Sequence, residues 1–180
     1  INKISSGDAG TGSAAGGGAL GIISGSLTIR NSTFDGNQTT SSGGGIRCGG
    51  AVWIGNGTVV TITGSTFKNS VHTASNNNDY SGGGAIYILG DSGSVLIEDS
   101  VFSNNSAQGN GGAIHVRGKR TVTISDTEFF DNTTNNSGGA IYGNAASFVI
   151  EDSTFTGNIA KGGGGAIREL CEMILAAKKA

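Results

Sequence analysis

The stretch "NSGGAIYGNAASFVIEDSTFTGN", residues 136–158, contains two phrases that the chain uses elsewhere. "GGAI" stands at Gly83–Ile86, Gly111–Ile114, Gly138–Ile141 and Gly164–Ile167, while "STF" with a following Asn stands at Ser32–Asn37 and Ser153–Asn158. The alanine of the glycine phrase recurs as Ala19, Ala51, Ala85, Ala113, Ala140 and Ala166, at steps of 32, 34, 28, 27 and 26 residues. The aromatic marker recurs as Phe34, Phe67, Phe102, Phe129 and Phe155, at steps of 33, 35, 27 and 26. Two independent markers with one period mean a repeat architecture. A propeller blade needs ~40–45 residues, and the repeats lack the strong helix formers of a helical solenoid. What remains is a β-solenoid, whose coils stack at the inter-strand spacing of about 4.8 Å.

Composition agrees. The chain has 180 residues with 34 Gly, no Pro and 13% charged residues, a mixture poor for helix and compatible with unbroken strand pairing. Low hydrophobicity with much Gly also describes disordered chains, but here the apolar residues recur in a fixed frame. The net charge of −2 and the lack of a basic stripe argue against a nucleic-acid partner. No apolar run approaches the roughly 20 residues of a membrane helix. Cys48 and Cys171 lie several repeats apart and are not expected to pair.

Within a repeat, Leu27-Thr28-Ile29, Val60-Thr61-Ile62, Val95-Leu96-Ile97, Val122-Thr123-Ile124 and Phe148-Val149-Ile150 alternate as strands with the outer two residues facing the core. A turn position follows (Asn31, Gly64, Asp99, Asp126, Asp152). The phenylalanine then enters the core, where its rings should pile along the axis. Three places on, Asn37, Ser70, Asn105, Asn132 and Asn158 should form an inward ladder of amides, with Ser70 the one departure. The double glycine marks a corner closed to residues with a Cβ.

GGAI alternating with Phe-x-x-Asn resembles the polymorphic membrane protein repeats of chlamydial outer-membrane autotransporters, over residues 16–167. The resemblance implies an all-β, right-handed parallel β-helix. It also implies an extracellular or cell-surface setting and a structural or adhesive role toward a protein or glycan surface. About five to six coils are expected over residues 1–168. In "RELCEMILAAKKA", Leu170, Met173 and Ile174 fall at helical spacing, so residues 169–180 are expected to form a short helical cap or tail. Both ends read as cut, and neighbouring chains could stack on the open ends of the solenoid.

The outward column after the repeated Ile or Val reads Gly21, Trp53, Tyr87, His115, Tyr142 and Arg168. Trp53, Tyr87, His115 and Tyr142 would form an exposed strip for a sugar ring or a partner protein, unless they simply cover the alanine column. Glu98-Asp99, Glu151-Asp152 and Asp126 raise polysaccharide cleavage as an alternative, but acids at a repeated turn position cap the turn. His72, in a long insertion, and His115 lack metal-ligand partners at sensible spacing, and neither a metal nor a cofactor is expected. Asn76-Asn77-Asn78-Asp79 offers oxygens to Ca²⁺, though a solvated loop explains it as well. The outward row Thr28, Thr61 and Thr123 is a poor ice-binding array because Leu96 and Val149 interrupt it.

Overall fold

The computed structural model describes residues 3–4, 16–41, 48–74, 81–162, 167–169 and 174–175. One representative coil runs through strands Ile86–Leu89, Ser94–Glu98, Val101–Ser103 and Ser106–Ala107. Each strand pairs, always in parallel, with its equivalents one coil below and above. Four main sheets result. Sheet I holds the GGAI strands, sheet II the Val-x-Ile strands and sheet III the Phe strands, and each is 6-stranded. The 5-stranded sheet IV closes the coil after the asparagine. This is the expected parallel β-helix.

The register places like over like. Ala51, Ala85, Ala113 and Ala140, the paired Ile and Val residues and the phenylalanines form one buried apolar column system. Phe34, Phe67, Phe102, Phe129 and Phe155 lie in single file, with successive ring centroids 4.6, 4.9, 4.9 and 4.7 Å apart and planes within 6°. Offset stacking of this kind adds to the burial energy of each ring.

The amide ladder runs beside the rings. Asn105 Nδ2 donates to Asn132 Oδ1 at 2.9 Å, and Asn132 Nδ2 donates to Asn158 Oδ1 at 2.9 Å. The second proton of each amide goes to the phenylalanine carbonyl of the coil below, Phe67, Phe102 and Phe129 in turn. At Ser70 the ladder breaks. Asn37 is fully buried, and among the described residues its Oδ1 and Nδ2 find no partner.

A second ladder carries hydroxyls. Ser32, Ser65, Ser100, Thr127 and Ser153 each donate to the carbonyl two residues back. Each hydroxyl from Ser65 onward also accepts the backbone N–H of its equivalent one coil below, at 3.1–3.4 Å. These side chains close a tight turn and tie two coils together. The residue before each of them, the turn position read from the sequence, has φ between 45° and 57°. A further left-handed column, Gly36, Asn69, Asn104, Asp131 and Gly157, precedes the amide ladder with φ between 53° and 67°. Gly, Asn and Asp are the residues that tolerate this region.

The two glycines of the corner phrase serve different needs. Gly111 has a φ of 70°, so its requirement is conformational. Gly112 has no left-handed φ, but a Cβ there would strike the carbonyl oxygen of Gly139 in the next coil. Its requirement is close approach.

The expected helical tail is corrected where it can be seen. Ile174–Leu175 is a strand on sheet II, with Val149 opposite Ile174 and Ile150 opposite Leu175. Apolar residues next to an open parallel edge gain both backbone bonds and burial by extending it. The rest of residues 170–180 lies outside the described residues, and among the described residues there is no helix.

Candidate functional site

The ring column exists in the expected register. Trp53 lies opposite Tyr87, Tyr87 opposite His115, and His115 opposite Tyr142. Tyr87 and His115 meet at 4.8 Å with planes 60° apart, and His115 and Tyr142 at 5.0 Å and 90°. The expectation of an exposed strip is corrected: relative exposure is 8% for Trp53, 0% for Tyr87 and His115, and 5% for Tyr142. These side chains leave the main core, as alternation requires, yet a second layer covers them. The residues just before the double glycine lie against the outer side of sheet I, so a Cβ on Gly82 would strike His115 Nδ1. Gly82 and Asn110 form a parallel bridge there, and Cys48, Asn110 and Ser137 of the same column are buried. Burial raises the pKa of the Cys48 thiol. Rings closed in this way offer no stacking surface to a ligand.

His72 joins this second compartment from sheet IV. It sits in strand Val71–Ala74 rather than in an insertion, and it is fully buried with Nδ1 3.0 Å from Thr39 Oγ1. Among the described residues its Nε2 and the Trp53 Nε1 have no partner. Burial pulls the His72 pKa down to about 4. His115 falls to about 3, chiefly through burial and further through the charges of Arg117 and His72, while a Ser81 backbone hydrogen bond acts the other way. Both imidazoles are neutral at pH 7.

Arg120 escaped sequence reasoning. It is only 1% exposed, and it reaches down two coils inside the corner between sheets I and II. Its Nη2 donates to the Thr58 carbonyl at 2.6 Å, and Nη1 to those of Gly55 and Leu89 at 3.3 and 3.5 Å. Burial lowers its pKa, but a guanidinium stays charged. A Cβ on Gly93 would strike its Nη2, so that glycine clears the path. The only sequence signal is an arginine where neighbouring coils keep small residues.

The corner outside Arg120 holds an open cleft of about 340 Å³, lined by Leu89, Gly90, Asp91, Arg117, Gly118, Asn144 and Ala145. It arises from unequal connections. Four residues link sheets I and II at 55–58 and at 90–93, three at 118–120 and two at 145–146. Asp91 Oδ1 accepts the Lys119 N–H at 2.9 Å, which fixes the carboxylate.

The acids raised by the sequence stay at their repeated turns. Asp99, Asp126 and Asp152 have φ of 48°, 49° and 45°. Among the described residues, no group of three or more His, Cys, Asp or Glu side chains could hold a metal ion. Asn76–Asp79 lies outside the described residues. No described helix is long and apolar enough to cross a membrane.

Fold and site thus define a parallel β-helix whose sheet I is doubly covered. The chain belongs to a family described as right handed beta helix region, whose model matches residues 17–172. That family includes both proteins without catalytic activity and enzymes that degrade polysaccharides. Neither the curated proteins nor the solved structures return a match.

Proposed function

We propose that this chain is a non-catalytic, rigid β-helix module of an extracellular or cell-surface protein, which presents a flat face to a protein or glycan. The observation that supports this most is where the reactive side chains are used. Asn105, Asn132, His72, His115 and Arg120 are all buried in contacts that hold coils together. The resemblance to polymorphic membrane protein repeats supports a surface setting. With the ring column covered, the flat face moves to sheet II, where Thr28, Thr61, Leu96, Thr123 and Val149 stand in one outward file. All five are exposed or half-buried. A mixed hydroxyl and aliphatic strip on rigid strands suits a partner surface at little entropic cost. Strand edges at the ends of the stack suit a place in a longer fibre.

The test is a glycan and protein array followed by a reducing-sugar release assay on every glycan retained. Binding that weakens with Leu96→Glu, without sugar release, is the expected result. Turnover that disappears in Asp126→Ala would replace the module with a polysaccharide-cleaving enzyme. Thermal hysteresis should be absent, and its presence would favour the ice-binding alternative.

A further inference from the structure

We propose that Asn56–Gly57, in the corner at 55–58 between sheets I and II, is a self-modification site: Asn56 deamidates through a succinimide with Ser92 of the next coil as oxyanion donor, and the product loosens the corner that anchors Arg120. The chain holds two Asn-Gly pairs, Asn56–Gly57 and Asn110–Gly111. Such a pair can cyclise because the next amide nitrogen lies within reach of the carboxamide carbon, and glycine has no side chain to obstruct the approach. A serine one coil up holds both pairs by the same plan. Gly57 N–H donates to the Ser92 carbonyl at 3.1 Å, and Gly111 N–H to the Ser137 carbonyl at 2.9 Å. The serine amides donate back, Ser92 N–H to Asn56 Oδ1 and Ser137 N–H to Asn110 Oδ1, each at 3.2 Å. Two features favour reaction at Asn56. Its Oδ1 also receives the Ser92 hydroxyl at 3.1 Å. Asn56, Gly57 and Ser92 are exposed, whereas Asn110 is 1% exposed and closed to water.

The step needs only the chain, hydroxide and water. Hydroxide removes the Gly57 amide proton, and the nitrogen attacks Asn56 Cγ. The new N–Cγ bond forms, the Cγ–Nδ2 bond breaks, and Nδ2 takes a proton from water and leaves as ammonia. Negative charge develops on Oδ1 in between, where the Ser92 N–H and O–H already point. Water then opens the succinimide at either carbonyl, giving aspartate or an isoaspartyl linkage, and nothing is oxidised or reduced. The bond from Gly57 N–H to the Ser92 carbonyl opposes the attack, but Gly111 carries the same restraint. The isoaspartyl route runs the backbone through Cγ and adds a methylene to the corner. That corner is closed by the Thr58 hydroxyl on the Gly55 carbonyl at 2.9 Å, and Arg120 is anchored on the carbonyls of the same two residues. A longer path between Gly55 and Thr58 pulls these anchors apart.

The experiment uses the whole chain, held at body temperature in neutral and in mildly alkaline buffer. Peptide mass spectrometry follows each asparagine, and an isoaspartate methyltransferase assay measures the isoaspartyl product. Asn56 should convert at least about tenfold faster than Asn110, which must open locally before water reaches it. Alkaline buffer should speed the conversion. Ser92→Ala keeps the backbone donor and should slow it about fivefold, the size of one lost hydrogen bond. Asn56→Gln, which would need a larger ring, should leave position 56 intact. The converted fraction, separated by its added negative charge, should unfold at a lower temperature than the unconverted fraction. Asn56→Asp brings the charge without the methylene and should keep the midpoint. The proposal is overturned if Asn56 stays intact or converts no faster than Asn110. It is equally overturned if Ser92→Ala speeds conversion, which would make Ser92 a restraint, or if both fractions unfold together.

Discussion

The main core and the compartment outside sheet I are built from the same coils by opposite rules. In the core each level repeats its neighbour, so Phe lies on Phe and Asn on Asn, and every group finds the partner the previous level found. Outside sheet I the levels differ. Trp53, Tyr87, His115 and Tyr142 share a column without sharing a chemistry, and Trp53 Nε1 and His72 Nε2 find no partner among the described residues. Repetition satisfies polar groups by default, whereas a varied column must satisfy each one separately. The core shows the same lesson at its one irregular level. Where Ser70 stands in place of asparagine, Asn37 Nδ2 below it lacks the amide oxygen that Asn105 and Asn132 donate to one coil up.

The sharpest way to break the comparison is to remove a ring from the middle of the file. Phe102→Ala should cost about 3–5 kcal/mol, read by denaturant unfolding. Phe155→Ala should cost clearly less, because that ring is half-buried and stacks on one recorded neighbour. Equal costs would mean that stacking contributes nothing beyond local burial.

Acid should act on the second compartment. His72 and His115 have folded pKa values of about 4 and about 3, below the ordinary value of 6.5. An unfolded chain takes up protons near pH 6.5 that the folded chain refuses until lower pH. Their contribution is therefore complete above about pH 6.5 and falls as pH drops toward the folded values, by up to about 2 kcal/mol per histidine between pH 7 and 5. The groups facing His115 are Arg117, His72, Tyr87, Tyr142 and the Ser81 backbone, with no carboxylate among them to hold an imidazolium. Unfolding of a His72→Gln, His115→Gln double variant should lose much of this slope between pH 7 and 5, and an unchanged slope would place the proton uptake elsewhere.

Arg120 lies at the edge of the regular core and joins three coils. Arg120→Met keeps most of the stem and should cost about 2 kcal/mol, because the Thr58 and Leu89 carbonyls each lose a donor while the Gly55 carbonyl keeps the Thr58 hydroxyl. Differential scanning calorimetry measures this. No loss of midpoint would mean that water replaces the guanidinium.

The smallest effect runs in the stabilising direction. Ser70→Asn should restore the amide ladder between Asn37 and Asn105 and add about 1 kcal/mol. That raises the unfolding midpoint by about 2–4 °C for a chain of this size. A lower midpoint would mean that this level cannot admit the larger side chain.

The sequence carried the regular part of this structure and little of the irregular part, for one physical reason. Columns that repeat are visible as period, so the Phe file, the Ile and Val pairs and the asparagine ladder could be read directly. The hydroxyl ladder and the left-handed column before each asparagine were equally present as "S/T-x-F-x-G/N/D-N", and they were legible once their bonding was known. The ring column was also legible, but its cover was not. Alternation says which way Tyr87 points; it cannot say that the chain returning from sheet IV will lie across it, because those corners vary in length and composition. At Ile174–Leu175 the helical reading of the tail gives way to strand for a related reason. Spacing in Leu170, Met173 and Ile174 fits a helix in isolation, and the unfilled edge of sheet II outweighs it at Ile174–Leu175.

A crystal structure inspected at the five phenylalanines and at the sheet I rings tests the stacking most directly. The account predicts Phe34, Phe67, Phe102, Phe129 and Phe155 in one file at 4.6–4.9 Å, with Tyr87 and His115 closed to solvent beside it. Any of those five rings out of file, or an aromatic column standing open on sheet I, would contradict it.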